Sequence, residues 1–233
     1  MIPDSTYSLM TMNPSDIAKL RAQTGAGMID CKQALEEAAG DMQSAAHILR
    51  KKGVMKAAKR AGKVAAEGLV VSYIHGGGKI GVLVEVNCET DFVGKTDAFR
   101  AFATDIAMHI AASRPLYVSR LDVPDEMLGK EKEIYREQLL AEGKPFFAKA
   151  TQGEPEGMLE KIVEGKLNKF YADTCLLEQP FVKDEDKTIE QLLTDKTAEI
   201  GEKVSIRRFA RYELGEGIEK ETKDFATEVA AQL

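Results

Sequence analysis

The chain contains 233 residues, of which 44% are hydrophobic and 30% are charged. This composition is typical of a globular protein with room for one large or two small domains, and it excludes a disordered or fibrous chain. The net charge of −6 argues against binding of nucleic acid through one broad basic face, but it leaves a local basic patch open.

The N-terminal segment 1–12 lacks the basic and then apolar layout of a secretory signal. We expect it to be a disordered leader, with Met10 or Met12 as a candidate natural start. No apolar run in the sequence approaches the roughly 18 residues that a membrane-spanning helix needs. These features predict a cytoplasmic protein that does not enter a membrane.

The three cysteines, Cys31, Cys88 and Cys175, are far apart in the sequence. Their number is odd and no pair has the CxxC spacing, so neither a zinc site nor a disulfide framework is indicated. We expect free thiols in a reducing compartment, and neither a metal nor a cofactor.

Three short helices are predicted within 13–54, the second of them at 30–39 from the spacing of its apolar residues. Capping side chains, a proline suited to a first turn and stopping glycines mark the helix ends, and the third helix is expected to end at Gly53. The end signals are Asn13, Pro14, Gly25, Gly27, Gly40, Asp41 and Gly53. A helical head of this size is too small to be very stable alone, which is typical of a docking element.

Residues 55–67 form a basic, alanine-rich stretch that contains Lys56, Lys59, Arg60 and Lys63. Two interpretations are open. The stretch either contacts an acidic partner or is a solvated helical linker, and the linker is the more common role of such a run of charge.

Strand patterns follow this stretch. Segments 68–75 and 80–87 are rich in β-branched residues, and the glycines between them predict a hairpin turn at 76–79. The turn sequence GGGK lacks the Ser or Thr that ends a phosphate-binding loop, and no helix follows it. We therefore assign it no nucleotide-binding role.

A helix is predicted at 96–113, and two charged helical segments follow at 125–142 and 156–172 with a bend at 143–155 between them. Each charged segment carries a narrow apolar seam, which predicts an antiparallel coiled-coil hairpin that projects as an arm. The seam residues are Met127, Ile134 and Ala141 in the first segment and Leu159, Val163, Leu167 and Phe170 in the second.

A short helix at 186–196, a third strand at 204–214 and an amphipathic helix at 219–232 complete the chain. The predicted fold class is α+β, with a small antiparallel sheet packed against helices. Its expected parts are the head at 13–54, a linker at 55–67, a core domain from 68–124 and 174–218, the arm at 125–173, and a C-terminal helix at 219–233.

Four segments, in order along the chain, carry specific motifs: LRAQTGAGMIDCKQAL at 20–35, EVNCETDFV at 85–93, AMHIAASRP at 107–115 and GEGIEK at 215–220. Together they resemble the elongation factor Ts family along nearly the whole chain. The most specific is the segment at 85–93, a strand that runs into the TDFV motif of that family. The segment at 20–35 is similar to the helical head of the family, a three-helix bundle of the ubiquitin-associated type.

The resemblance departs from the long members of the family in one respect. Those members have two related core halves, one with the TDFV motif and the other with the AMH helix. Here Asp91, Phe92 and His109 lie on one strand, turn and helix. The chain therefore resembles the short type with a single merged core unit, and either a second copy supplies the missing surface in a homodimer or that surface is lost.

The resemblance implies a guanine-nucleotide exchange factor for elongation factor Tu in translation elongation, which is not an enzyme of covalent chemistry. Such a factor binds its nucleotide-free partner more tightly than the GDP-bound partner, and this coupling is reciprocal. The expected contact is Thr90, Asp91, Phe92 and Val93, which would disturb the Mg²⁺ and phosphate region, with Phe92 as a wedge and Asp91 as its polar partner. From the residues alone, the alternative is that Phe92 packs in the core of this chain and Asp91 caps the next helix.

Further contacts with the partner are implied near His109 and in the helical head. The candidates in the head are Arg21, Gly25, Met28 and Lys32. Without the resemblance, His109 is more simply a histidine of the core, and the head residues are ordinary solvated surface.

Other classes of protein are less well supported. An RNA- or ribosome-binding accessory module would place 56–63, or Arg207, Arg208 and Arg211, against phosphates, but only 6% of the residues are aromatic and specific nucleic-acid binding is not expected. The histidines have no paired nucleophile and no metal-binding motif such as His-Glu-x-x-His. A ubiquitin-binding scaffold would account for the head but not for the TDFV motif.

Overall fold

The computed structural model describes residues 13–141 and 154–218. The leader at 1–12, most of the bend at 143–155 and the C-terminal helix at 219–233 are predictions that lie outside the described residues. The described part combines many helices with a small antiparallel sheet, which confirms the α+β class.

The helices and strands follow one another along the chain in a simple order, with short 3-10 turns at Arg120–Asp122 and Leu176–Glu178. In that order they are α1 (Pro14–Thr24), α2 (Met28–Glu37), α3 (Met42–Arg60), β1 (Glu67–His75), β2 (Ile80–Cys88), α4 (Asp91–Gly94), α5 (Asp97–Ser113), α6 (Asp125–Ala141), α7 (Glu154–Thr174), β3 (Pro180–Phe181), β4 (Asp184–Thr188), α8 (Ile189–Ile200) and β5 (Ser205–Glu213).

Helices α1, α2 and α3 form the head around one small core. The side chains of Asn13 and Asp41 cap α1 and α3 by accepting the backbone N–H of Ser15 and Ser44, as their sequence positions predict. The buried side chains that the three helices share are Leu20, Cys31, Ala34, Leu35, Ala45 and Leu49.

The expectation that the third helix ends at Gly53 is wrong, because α3 continues to Arg60. A Cβ atom added at Gly53 would lie 3.2 Å from the Cβ of Ala198 on α8. The glycine therefore allows α3 and α8 to approach closely, within a helix that continues past it. Residues 55–60, expected in a linker, form the last part of α3.

The main sheet has the strand order β1-β2-β5 and is antiparallel throughout. Its inner face carries Val82, Val84 and Val86, which pack with buried side chains of α5 such as Phe99 and Ile106. Its outer face is exposed, with Val70, Ile74, Leu83 and Tyr212 each at least half exposed. The sheet therefore has one side covered by helices and one open side.

A β-bulge interrupts the pairing of β2 with β5. Glu85 pairs with Arg208 and Val86 with Ile206, so Arg207 is the extra residue. Glu85 accepts hydrogen bonds from Arg207 at 3.0 Å and from Arg208 at 2.7 Å. The bonds from Arg208 and Arg207 lower the pKa of Glu85 to about 2.

The sequence did not predict the short β3–β4 hairpin. Residues 186–188, expected to begin a helix, belong to β4, and α8 starts at Ile189. Thr188 caps α8 by accepting the N–H of Gln191, and the Gln191 side chain accepts the N–H of Thr188 in return. This reciprocal pair places the helix start later than the apolar pattern suggests.

Helices α6 and α7 pack against each other along a buried seam of Leu139, Val163 and Leu167. On α7 the predicted Leu159, Val163 and Leu167 belong to this seam, but Phe170 does not, and Tyr171 packs there instead. The seam predicted on α6 is wrong. Met127 and Ile134 are 39% and 43% exposed, and Tyr135 and Leu139 face α7 instead. Tyr135 and Leu139 are four residues apart, so they lie on one side of the helix.

No helix in the described ranges is long and apolar enough to cross a bilayer. Cys31, Cys88 and Cys175 are buried and carry free thiols. Burial raises the pKa of the Cys88 and Cys175 thiols above the ordinary value.

Candidate protein-binding site

The TDFV motif forms a single helical turn between the sheet and α5. Thr90 caps this turn, α4, because its Oγ1 accepts the backbone N–H of Val93 at 3.4 Å. Thr96 then caps α5 by accepting the N–H of Phe99 at 3.2 Å. The motif is therefore a helical turn, and the alternative that Asp91 caps the following helix is wrong.

Phe92 points away from the body of the protein. Its side chain is 82% exposed, whereas Val93 is 8% exposed and belongs to the main core. The alternative that Phe92 packs in the core of this chain is therefore wrong. Asp91 is also exposed and forms an ion pair with Lys95, which raises the pKa of that lysine.

Two glycines place α4 directly on the backbone of β1. A Cβ atom at Gly94 would lie 3.2 Å from the Cα of Gly68. Gly68 itself has a φ of +130°, and a Cβ atom there would lie 2.2 Å from the carbonyl oxygen of Val86. Only glycine fits at position 68, and its small size lets the turn rest against the strand.

Glu202 binds the first residue of the motif. Its Oε2 accepts the backbone N–H of Thr90 at 3.0 Å, and its Oε1 accepts the Thr90 hydroxyl at 2.7 Å. The neighbouring Glu89 accepts a hydrogen bond from Nη1 of Arg60 at 3.0 Å and another from the backbone N–H of Lys203 at 2.7 Å. Sequence reasoning missed Glu89, Glu202 and Lys203, because their partners are distant along the chain and no local motif marks them.

His109 lies on α5 and is fully buried. Its Nδ1 accepts the backbone N–H of Val182 at 3.4 Å, and its Nε2 lies 3.1 Å from Oε1 of Gln179. The Gln179 amide then donates to the carbonyl oxygen of Asp173 at 2.7 Å. Burial lowers the pKa of His109 despite the opposing effect of Gln179, and the buried ring belongs to the core.

The four candidates in the head are all exposed and lie on α1, on α2 or between them: Arg21, Gly25, Met28 and Lys32. Gly25 ends α1 in the left-handed conformation, with a φ of +68°. Met28 is 60% exposed, and its neighbour Ile29 is 73% exposed, so the start of α2 presents two apolar side chains to water.

The basic end of α3 connects the head to the TDFV turn. Lys56 binds Asp30 on α2 at 2.8 Å, and Arg60, one helical turn later, binds Glu89 just before the motif. The head and the TDFV turn, the two candidate binding surfaces, therefore both lie next to the last turns of α3. The same ion pairs join Lys56 and Arg60 to other parts of the chain, although both side chains also remain partly exposed to solvent.

The chain has a helical head and an exposed aromatic ring on a turn whose other side is anchored in the core. Both are features of a protein-binding factor. The family model described as Elongation factor TS matches residues 6–216. A relative named Elongation factor Ts from Carboxydothermus hydrogenoformans is 59% identical over 93% of this chain and 95% of its own length. Its counterpart from Desulforamulus reducens is 57% identical over 95% of this chain and 98% of its own.

A third relative of the same name, from Moorella thermoacetica, is 60% identical over 88% of this chain and 96% of its own length. The chain belongs to the elongation factor Ts family. It is accordingly a guanine-nucleotide exchange factor for elongation factor Tu in translation elongation. Such a factor speeds the release of a bound nucleotide and makes or breaks no covalent bond.

Proposed function

We propose that α4 promotes GDP release by inserting Phe92 beside the Mg²⁺ and phosphate region of elongation factor Tu. The observation that carries this mechanism is the 82% exposure of Phe92 next to a buried Val93. An aromatic side chain that moves from water into a central pocket of an interface contributes about 2 kcal/mol or more. If the pocket is open only in the nucleotide-free partner, this free energy favours that state.

Asp91 is the polar partner of Phe92 in this mechanism. Its carboxylate is exposed and bound to Lys95, a surface ion pair that costs little to break. On binding, Asp91 can exchange Lys95 for a cationic group of the partner near the metal. The neighbouring Thr90 and Val93 hold the turn, one as its cap and the other as its anchor in the core.

The head is proposed to dock on the nucleotide-binding domain of elongation factor Tu as a bundle of the ubiquitin-associated type. The exposed Met28 and Ile29 offer apolar contact, and Arg21, Gly25 and Lys32 lie on the same helices or their junction. The C-terminal end of α3 forms ion pairs both with Asp30 in the head and with Glu89 just before the TDFV motif. In this proposal the head and the Phe92 turn therefore contact the same partner molecule. His109 supports the site from the core and does not contact the partner directly.

A second copy of the chain is proposed to cover the outer face of the main sheet. Val70, Ile74, Leu83 and Tyr212 expose apolar surface there, and neighbouring residues of the three strands share this face. Two such faces packed together would give a symmetric dimer with two core units. In this proposal the protein is cytoplasmic, and α6 and α7 form an antiparallel coiled-coil arm.

Binding of RNA or the ribosome is a weaker proposal for the basic residues. Arg207 and Arg208 both bind Glu85, and Lys56 and Arg60 bind Asp30 and Glu89. These pairs offset much of the positive charge that would attract phosphates.

The exchange mechanism is tested by following the release of a fluorescent GDP from elongation factor Tu at fixed Mg²⁺. Wild type, Phe92→Ala and Asp91→Ala are compared with a sample that lacks the factor. We expect rapid release with wild type and much slower release with Phe92→Ala. Equal rates for all variants would reject the wedge, and no acceleration by folded wild-type protein would reject the exchange function.

A further inference from the structure

The segment between α8 and β5 makes polar contacts with two separate parts of the protein. Gly201 ends α8 in the left-handed conformation, with a φ of +79°. The hydroxyl of Thr197 accepts the backbone N–H of Val204 at 3.1 Å. The segment is therefore fixed at both ends, and its two central residues, Glu202 and Lys203, have defined positions.

Glu202 acts on the cap of the TDFV turn. Because its Oε1 accepts the Thr90 hydroxyl proton at 2.7 Å, the hydroxyl oxygen has its lone pairs free for the N–H of Val93. Its Oε2 meanwhile accepts the Thr90 N–H at 3.0 Å. One carboxylate therefore sets the orientation of the cap that holds the turn carrying Phe92.

Lys203 acts on the end of the head. Its Nζ donates to the carbonyl oxygens of Ala61 at 2.8 Å and Lys63 at 3.0 Å, just after α3. A cation at the C-terminal end of a helix also interacts favourably with the helix dipole. The backbone N–H of Lys203 donates to Glu89, which binds Arg60 of α3. Adjacent residues thus hold the head on one side and the turn on the other.

We propose that Glu202 and Lys203 are positioning residues that keep the Phe92 turn at a fixed place relative to the docking head. This inference rests on the proposed exchange function and names the residues that prepare its site. A turn already ordered in the free protein loses little conformational entropy on insertion. Once the head has docked, Phe92 is already in the position from which it enters the partner, and the turn does not have to change conformation first.

The inference is tested with Glu202→Ala in the full chain, by measuring GDP release over a range of factor concentrations. Docking through the head is unchanged, so the concentration for half-maximal release should change little. The saturating release rate should fall at least about tenfold, because a factor of that size corresponds to the loss of a single hydrogen bond to a charged group and Glu202 makes two. Glu202→Gln keeps an acceptor for the Thr90 N–H and should recover most of the rate.

Amide hydrogen exchange of the free protein gives a second readout that does not depend on elongation factor Tu. Glu202→Ala should speed exchange at Thr90 and Val93 while the amides of α5 keep their wild-type protection. Lys203→Ala should speed exchange at the end of α3. The matched control is Glu185→Ala, which removes an exposed carboxylate on β4 and should leave both readouts at wild-type values.

The outcomes distinguish this inference from the proposed function. If Phe92→Ala slows release but Glu202→Ala does not, the wedge stands and the positioning role is overturned. Unchanged amide exchange in Glu202→Ala also overturns it. A loss of release that comes with a large rise in the half-maximal concentration would assign Glu202 to docking instead. If wild type fails to release GDP, the exchange function itself is rejected whatever the amides do.

Discussion

Phe92 and Val93 are consecutive residues of α4 that face opposite ways, with 82% and 8% of their surfaces exposed. Val93 packs with the main core, whereas Phe92 extends into water. An exposed aromatic ring contributes little to folding, so the contributions of these two residues to stability and to partner binding should separate cleanly.

Val93→Ala should lower the free energy of unfolding by about 1–3 kcal/mol, because it removes buried methyl groups. Phe92→Ala should change that free energy by less than about 0.5 kcal/mol, as is usual for exposed positions. Urea unfolding measures both changes in the free energy of unfolding. In the GDP-release assay the order should reverse, with Phe92→Ala slowing release more than Val93→Ala. Equal losses of stability in the two variants would mean that Phe92 is not presented to solvent.

The buried His109 should make the protein less stable in mild acid. Because burial lowers its pKa, the unfolded chain takes up a proton below the ordinary value of 6.5 at a pH where the folded chain does not. The contribution of the neutral His109 to the free energy of unfolding is complete above pH 6.5, the ordinary histidine pKa. It is lost as the pH falls through the lowered pKa of the folded state. His109→Gln should remove this part of the pH dependence.

Urea midpoints near neutral pH and about one unit below the ordinary histidine pKa measure this effect. The exposed His47 provides the control, since His47→Gln should keep the wild-type difference between the two pH values. An identical pH dependence in wild type and His109→Gln would show that the buried ring is not responsible.

Gly53→Leu should lower stability by about 1–3 kcal/mol, because its side chain would have to displace Ala198 between α3 and α8. Gly129 on α6 has no neighbouring atom within 4 Å of an added Cβ. Gly129→Ala should therefore raise stability by about 0.5–1 kcal/mol through helix propensity alone. Thermal unfolding distinguishes the two, and a tolerated leucine at position 53 would contradict the close approach of the helices.

Leu83→Lys should convert the proposed homodimer to a monomer, because it places a charge in the middle of the exposed sheet face. Leu121 is 96% exposed and lies outside that face, so Leu121→Lys is a matched control that should leave assembly unchanged. Sedimentation velocity measures both. A wild-type protein that sediments as a monomer at every concentration would exclude this dimer.

Features that depend on neighbouring residues were predictable from the sequence. Asn13 and Asp41 cap their helices through bonds within three residues, and the glycines at 76–79 set the hairpin turn. The TDFV motif was located by its resemblance to a family, but the exposure of Phe92 was not evident from its residues alone.

Features that depend on distant residues were not predictable. Gly53 signals a helix end locally, yet its contact with Ala198 gives it a packing role. Helix α6 has apolar residues on two of its sides. Only the position of α7 determines that Tyr135 and Leu139 form the seam rather than Met127 and Ile134. Glu202 reaches Thr90 across a sequence separation of 112 residues, which no local pattern indicates.

The burial of Cys31, Cys88 and Cys175 has a practical consequence for spectroscopy. A buried thiol reacts slowly with maleimides, because the reagent needs an accessible thiolate, and burial also raises the pKa of Cys88 and Cys175. A single cysteine introduced at an exposed position such as Leu121 can therefore be labelled selectively in the native chain, leaving all three native cysteines in place.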